Sequence, residues 1–83
     1  MDEKKLATIF SNVLEIPLGE INDEITYNVS KNWDSLAHMV IVAAIDEAFD
    51  IMLEMTDIVD MSSFAKAKEI VNKCLLEKSG SNR

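Results

Sequence analysis

Leu6, Ile9, Phe10, Val13 and Leu14 fall at i, i+3, i+4, i+7 and i+8, the spacing that gathers apolar side chains on one face of an α-helix. Asp2 and Glu3 stand at its start, where the helix dipole favours negative charge. Ile16 precedes Pro17 and Gly19 follows, so the helix ends there, because a residue before proline is pushed out of the helical region. From 17 to 33 the period is lost. This stretch holds Pro17, Gly19, three asparagines and isolated apolar residues, Leu18, Ile21, Ile25 and Val29. It reads as a long ordered loop pinned to the core by those side chains, and loops of this length in small domains are usually functional.

The second helix is predicted to begin at Asp34 or Ser35, both favoured N-cap types, and to run to about Asp50. Its apolar residues, from Leu36 through Met39, Val40, Ile41, Val42 and Ile45 to Phe49, cover more than one stripe. A helix apolar over most of its circumference is either central or touches partners on its outer side. Residues 54–61, EMTDIVDM, predict a short third helix with Thr56 as cap. Ser62 or Ser63 then caps a last helix, with Phe64, Ala67, Ile70, Val71, Cys74 and Leu75 at helical spacing and Lys66, Lys68, Lys73 and Lys78 outside. No strand pattern or repeat is present. The fold class expected is all-α, a four-helix antiparallel bundle with a short third helix, over residues 1–78, with 79–83 as a flexible tail. Its core should include Phe10, Leu36, Ile45, Phe49, Phe64 and Val71. Met39, Met52, Met55 and Met61 should be core filler or, alternatively, line an adaptable pocket for a flexible apolar guest, and Cys74 should be a buried thiol.

Composition narrows the class. Eighty-three residues, 48% hydrophobic, with a formal charge of −7, describe one globular domain of marginal stability, expected as a monomer. The charge is uneven: residues 32–65 carry seven acids (Asp34, Asp46, Glu47, Asp50, Glu54, Asp57, Asp60) and no base. Such a surface repels nucleic acid and anionic membrane, and suits a solvated face or a docking surface for basic proteins. One cysteine cannot form an internal disulfide, which fits a reducing compartment. The opening MDEKKLATIF has no apolar signal core, and no stretch reaches the roughly 20 apolar residues of a membrane span. A cytoplasmic protein is expected.

Asp34, Ser35 and His38 invite comparison with a catalytic triad. Serine and histidine at i and i+3 are helix neighbours, but nothing supplies an oxyanion hole and no G-x-S-x-G elbow is present. His38 is expected to be a partly exposed helix residue. Asp46, Glu47 and Asp50 match no EF-hand spacing, and there is no CxxC or HExxH. No catalytic or metal-binding residue is therefore assigned. Ser35 remains as a helix cap or a point of attachment.

The triplet "DSL" (Asp34, Ser35, Leu36) opening an apolar helix, which ends in "IDEAFDI" and is followed by a short acidic helix, resembles the acyl carrier proteins. The resemblance covers nearly the whole chain. It implies a carrier, not an enzyme, whose serine, here Ser35 flanked by Asp34 and Leu36, bears a covalent 4′-phosphopantetheine arm. It also implies its partners: a magnesium-dependent phosphopantetheinyl transferase that takes the arm from coenzyme A, an acyl- or aminoacyl-loading ligase, and a downstream transferase or synthase. A phosphodiester anion suits a helix amino terminus. A serine modified by another enzyme needs no base of its own.

Two departures refine the resemblance. Carriers of general fatty acid biosynthesis tend to keep acids along the exposed side of this helix just after the serine. Here those positions are Ala37, His38, Val40 and Ile41, and acids begin at Asp46. Trp33 stands where many relatives have a small residue. These features point to a stand-alone carrier in a specialised lipid, polyketide or nonribosomal, or sugar-modification pathway. The partner-binding residues expected are Val40 or Ile41 as an apolar contact, with Asp46, Glu47, Asp50 and Asp57 steering basic partners. A helical interaction module that keeps this architecture unmodified is the alternative.

Overall fold

The computed structural model describes residues 1–30 and 32–81, the last three as backbone only. Four helices follow in order: α1 (Glu3–Leu14), α2 (Ser35–Phe49), α3 (Met55–Asp60) and α4 (Phe64–Ser81), with a single 3-10 turn at Leu18–Glu20. The chain is all-α, as expected. Among the described residues the only extended pairing is an isolated bridge between Thr26 and Ser63. The backbone of α4 continues through Ser81, three residues into the stretch expected to be tail, while Asn82 and Arg83 lie outside the described residues. No described helix is long and apolar enough to cross a membrane.

The helix ends follow side-chain chemistry. The Asp2 carboxylate accepts the Lys5 N–H at 3.1 Å, and Asp34 accepts that of Ala37 at 2.9 Å, each satisfying a donor that a helix start leaves without a partner. Glu15 and Asp50 close α1 and α2 in the left-handed region, at φ 58° and 54°. For α3 the cap is Glu54, not Thr56. Thr56 falls inside the first turn, and Asp57, three residues after Glu54, reaches back to the Glu54 N–H at 3.4 Å. Ser63 caps α4 by accepting the Lys66 N–H at 3.0 Å.

The core lies where α1, α2 and α4 meet. Leu6, Phe10 and Leu14 enter from α1, Ile41, Ile45 and Phe49 from α2, and Phe64, Ala67 and Val71 from α4. Phe10 sits edge-on to both Trp33 and Phe64, with ring centroids 5.1 Å apart in each pair, a favoured aromatic arrangement. The α2 core face runs His38, Ile41, Val42, Ile45 and Phe49. Leu36 lies on the opposite stripe with Met39, Val40, Ala43 and Glu47, all exposed. Leu36 is therefore not a core residue: it is 75% exposed. Of the four methionines expected as filler, Met61 alone is buried, and Met39, Met52 and Met55 face solvent.

The loop from 17 to 33 is pinned, but not by all the residues expected. Leu18 and Val29 are exposed, whereas Ile21, Ile25 and Tyr27 pack against the core and Trp33 is buried within it. Backbone bonds tie the loop to the start of α4, Tyr27 N–H to the Ser62 carbonyl and Phe64 N–H to that of Ile25, both 2.9 Å. The Asn32 amide donates to the Leu14 carbonyl at 2.7 Å, fixing the loop's far end to α1. Asn28 and Asn32 take positive φ, which asparagine tolerates better than most residues.

Truncating Phe10 to Ala should cost about 3–5 kcal/mol, the range for large core side chains. Leu36→Ala should cost about 0.5 kcal/mol or less, as surface changes do. Urea unfolding of the two variants checks both values, and equal costs would contradict the placement of Leu36.

Candidate functional site

Three consecutive residues at the start of α2 do three different things. Trp33 is buried, 1% exposed. Asp34 turns outward as the cap. Ser35, the first helical residue, is exposed. The caps leave work undone: Ala37 N–H goes to the Asp34 carboxylate and His38 N–H to its carbonyl, while the N–H groups of Ser35 and Leu36 have no protein acceptor among the described residues. An exposed hydroxyl thus stands beside free donors at the positive end of a 15-residue helix, a favourable place for an anion.

The triad reading fails on geometry. His38 is buried at 9% exposure, not the partly exposed residue expected, because it sits on the core face of α2. Its Nδ1 accepts the Trp33 indole N–H at 3.0 Å, and its Nε2 lies 2.8 Å from the Ile58 carbonyl on α3. An indole nitrogen only donates and a carbonyl only accepts. The ring is therefore the neutral Nε2–H tautomer with both nitrogens engaged, leaving none for Ser35.

The expected partner-binding residues divide. Val40 is half-exposed, and Glu47 and Asp50 lie on the surface. Ile41 is fully buried and is a core residue. Asp46 is half-buried and accepts the Leu53 N–H at 3.0 Å, bracing the chain after α2. The Asp50 carboxylate is bonded by Lys78 at 2.8 Å, and that ammonium holds its carboxyl below the usual carboxylate range. Asp57 is buried at 4% exposure and so is no steering charge on the surface. The sequence reading named Val40 but passed over Leu36 and Met39 exposed beside it, and Met55 and Val59 on α3. The signal was the second apolar stripe of α2 itself.

Asp57 anchors α3 to α4. Lys73 donates to its Oδ1 at 2.6 Å, and the Cys74 thiol to its Oδ2 at 3.8 Å. The Lys73 bond holds the carboxyl below the usual carboxylate range, outweighing burial, which acts the other way. Burial, then the neighbouring Asp57 charge, pushes the Cys74 thiol up. The thiolate is the reactive form, and both burial and the Asp57 charge disfavour it here. An open groove of about 780 Å³ adjoins this cluster, between the end of α2 and α4. It is remote from Ser35, since 15 residues of helix span roughly 22 Å. Among the described residues no group of side chains could hold a metal ion.

The profile of the family described as "phosphopantetheine attachment site" matches residues 4–71. The chain belongs to the acyl carrier protein family. Members bind 4′-phosphopantetheine covalently on a serine and are generally non-catalytic carriers that interact with transferases and synthases. Comparisons with curated proteins and with solved structures gave no match. The residues at the start of α2 fit such a group: an exposed hydroxyl to esterify, two N–H donors with no acceptor among the described residues, and no carboxylate other than the cap Asp34 in the first turn.

The Asp57 contacts carry a pH signature. A carboxyl whose folded pKa lies below its unfolded value, about 3.8, contributes stability that is present above that value and lost as pH falls through the folded one. Asp57→Asn should therefore destabilise most at neutral pH, and the difference from wild type should shrink as pH drops below 3.8. Urea midpoints between neutral and acid pH measure this, and a difference independent of pH would contradict it.

Proposed function

We propose that Ser35 is the attachment serine and that the protein is a stand-alone acyl or aminoacyl carrier, not an enzyme, working in the cytoplasm. What carries the reading is the exposure of Ser35 at the head of α2, next to the buried Trp33 and inside the matched span. The Ser35 oxygen forms the new phosphodiester as the pyrophosphate bond of coenzyme A breaks, adenosine 3′,5′-bisphosphate leaves, and the transferase supplies the base that takes the serine proton. The helix start stabilises the phosphodiester charge through the free Ser35 and Leu36 N–H groups and the dipole. When bound, the arm supplies a thiol that holds cargo as a thioester. Cys74 is buried, and its surroundings disfavour the thiolate that would compete with the arm for acyl groups.

The partners are a phosphopantetheinyl transferase, a loading ligase and a downstream transferase or synthase. They meet a surface that is apolar near Ser35, with Leu36, Met39 and Val40, and acidic further along at Glu47 and Asp50. A charge-steered encounter ending on an apolar contact suits these enzymes. The scarcity of acids beside Ser35 supports a specialised pathway, in lipid, polyketide or nonribosomal, or sugar-modification chemistry, over general fatty acid biosynthesis.

Incubation with coenzyme A, magnesium and a broad-specificity transferase should add one phosphopantetheinyl group by intact mass, mapped to the peptide containing Ser35. Ser35→Ala, helical by circular dichroism, should add none. Label persisting in that variant would overturn the assignment of Ser35, and a wild type that takes no label would make the chain an unmodified interaction module.

A further inference from the structure

One turn along α2 from Ser35, His38 reaches across to α3. That helix has only six residues, Met55–Asp60, too few to be stable alone. Its apolar side chains are poorly placed to hold it: Met55 and Val59 face solvent and Ile58 is half-buried. Two polar attachments do much of the holding. One is Asp57 with Lys73 and Cys74 of α4, and the other is His38 with the Ile58 carbonyl at 2.8 Å. The second belongs to α2, and its ring is fixed from behind by the Trp33 indole at 3.0 Å and packed by Tyr27 at 5.0 Å between centroids. Trp33 is two residues from Ser35. One imidazole thus joins the segment that presents Ser35 to the helix that carries Met55 and Val59.

We propose that His38 is a positioning residue for partner docking: it sets α3 relative to α2, so that the exposed apolar side chains of both helices are presented together to an enzyme acting at Ser35. This rests on the reading of Ser35 given above. The two nitrogens have separable jobs. Nδ1 orients the ring by accepting from Trp33, and Nε2–H carries the link to α3. Asparagine places an amide near Nδ1 and can keep the Trp33 bond, but it is too short to reach Ile58. Glutamine places an N–H near Nε2 and can keep the Ile58 bond.

The test compares His38→Asn and His38→Gln in two assays. In amide hydrogen exchange of the unmodified protein, His38→Asn should speed exchange in α3 while leaving α1 and α4 near wild type, and His38→Gln should restore α3. In phosphopantetheinyl transfer, His38→Asn should raise KM for the carrier roughly 3- to 10-fold, the size of one net hydrogen bond, with kcat unchanged, because Ser35 and its cap are untouched. Gln should return KM towards wild type. Unchanged α3 exchange and KM in His38→Asn, or equal loss of protection in every helix for both variants, would overturn the proposal. If wild type takes no label, it is the carrier reading that fails, and α3 exchange still tests the His38 link. Should both variants fail to fold, ¹⁵N spectra of the single histidine in wild type decide: a protonated Nε2 and bare Nδ1 support the link, and the opposite tautomer overturns it.

Discussion

Much of this small protein is arranged around one buried indole. Trp33 is the largest fully buried side chain, and it ends a loop that would otherwise have little to hold it. Its edge-on contact with Phe10 anchors it to α1, and through Phe10 the aromatic cluster reaches Phe64 of α4. Its N–H cannot be left unpaired at that depth without a cost of about 1–3 kcal/mol, so an acceptor is required, and His38 is that acceptor. The backbone then has little freedom. With residue 33 turned inward, residue 34 caps the helix and residue 35 stands at the surface. Burial of one side chain therefore exposes another two positions later, the hydroxyl of Ser35 at the head of α2.

The same economy explains the acidic stretch. Seven carboxylates between 32 and 65 look in sequence like one charged face, but several are structural. Asp34 caps α2, Asp46 braces the chain after it, and Asp57 is buried against Lys73. The bases that answer Asp50 and Asp57 come from α4, so the positive carboxy-terminal segment and the acidic middle neutralise each other in part. The outward side of α2 near Ser35 is left apolar instead of acidic.

Helix positions were legible in the sequence wherever a local rule decided them. The period of α1, the Pro17 stop, the Asp34 cap and the end of α2 at Asp50 all depend on residues a few positions apart, and so does the placement of Ser35. What was misread depends on which way a two-sided helix turns. Leu36 and Ile41 both sit in an apolar run, and only packing against α1 and α4 distinguishes the exposed one from the buried one. His38 looked like a surface residue because its acceptor and donor partners, Ile58 and Trp33, lie on other segments. Asp57 looked like a steering charge because its lysine is 16 residues away. The exposed methionines follow the same logic: apolar character predicts burial in a core, yet Met39, Met52 and Met55 fall on outward faces that only the packing of the helices decides.

The exposure of Ser35 depends on Trp33 being held in place in the folded protein, and the chain has one tryptophan, so its indole N–H is a single resonance. Measuring the hydrogen exchange of that proton, alongside the backbone amides of α1, tests the claim directly. Buried and bonded to His38, it should exchange only when the whole domain unfolds, with the same protection as the slowest amides of α1. Exchange at the rate of exposed loop amides, in a protein whose helices remain protected, would show that Trp33 is not anchored and would contradict this explanation of how Ser35 is presented.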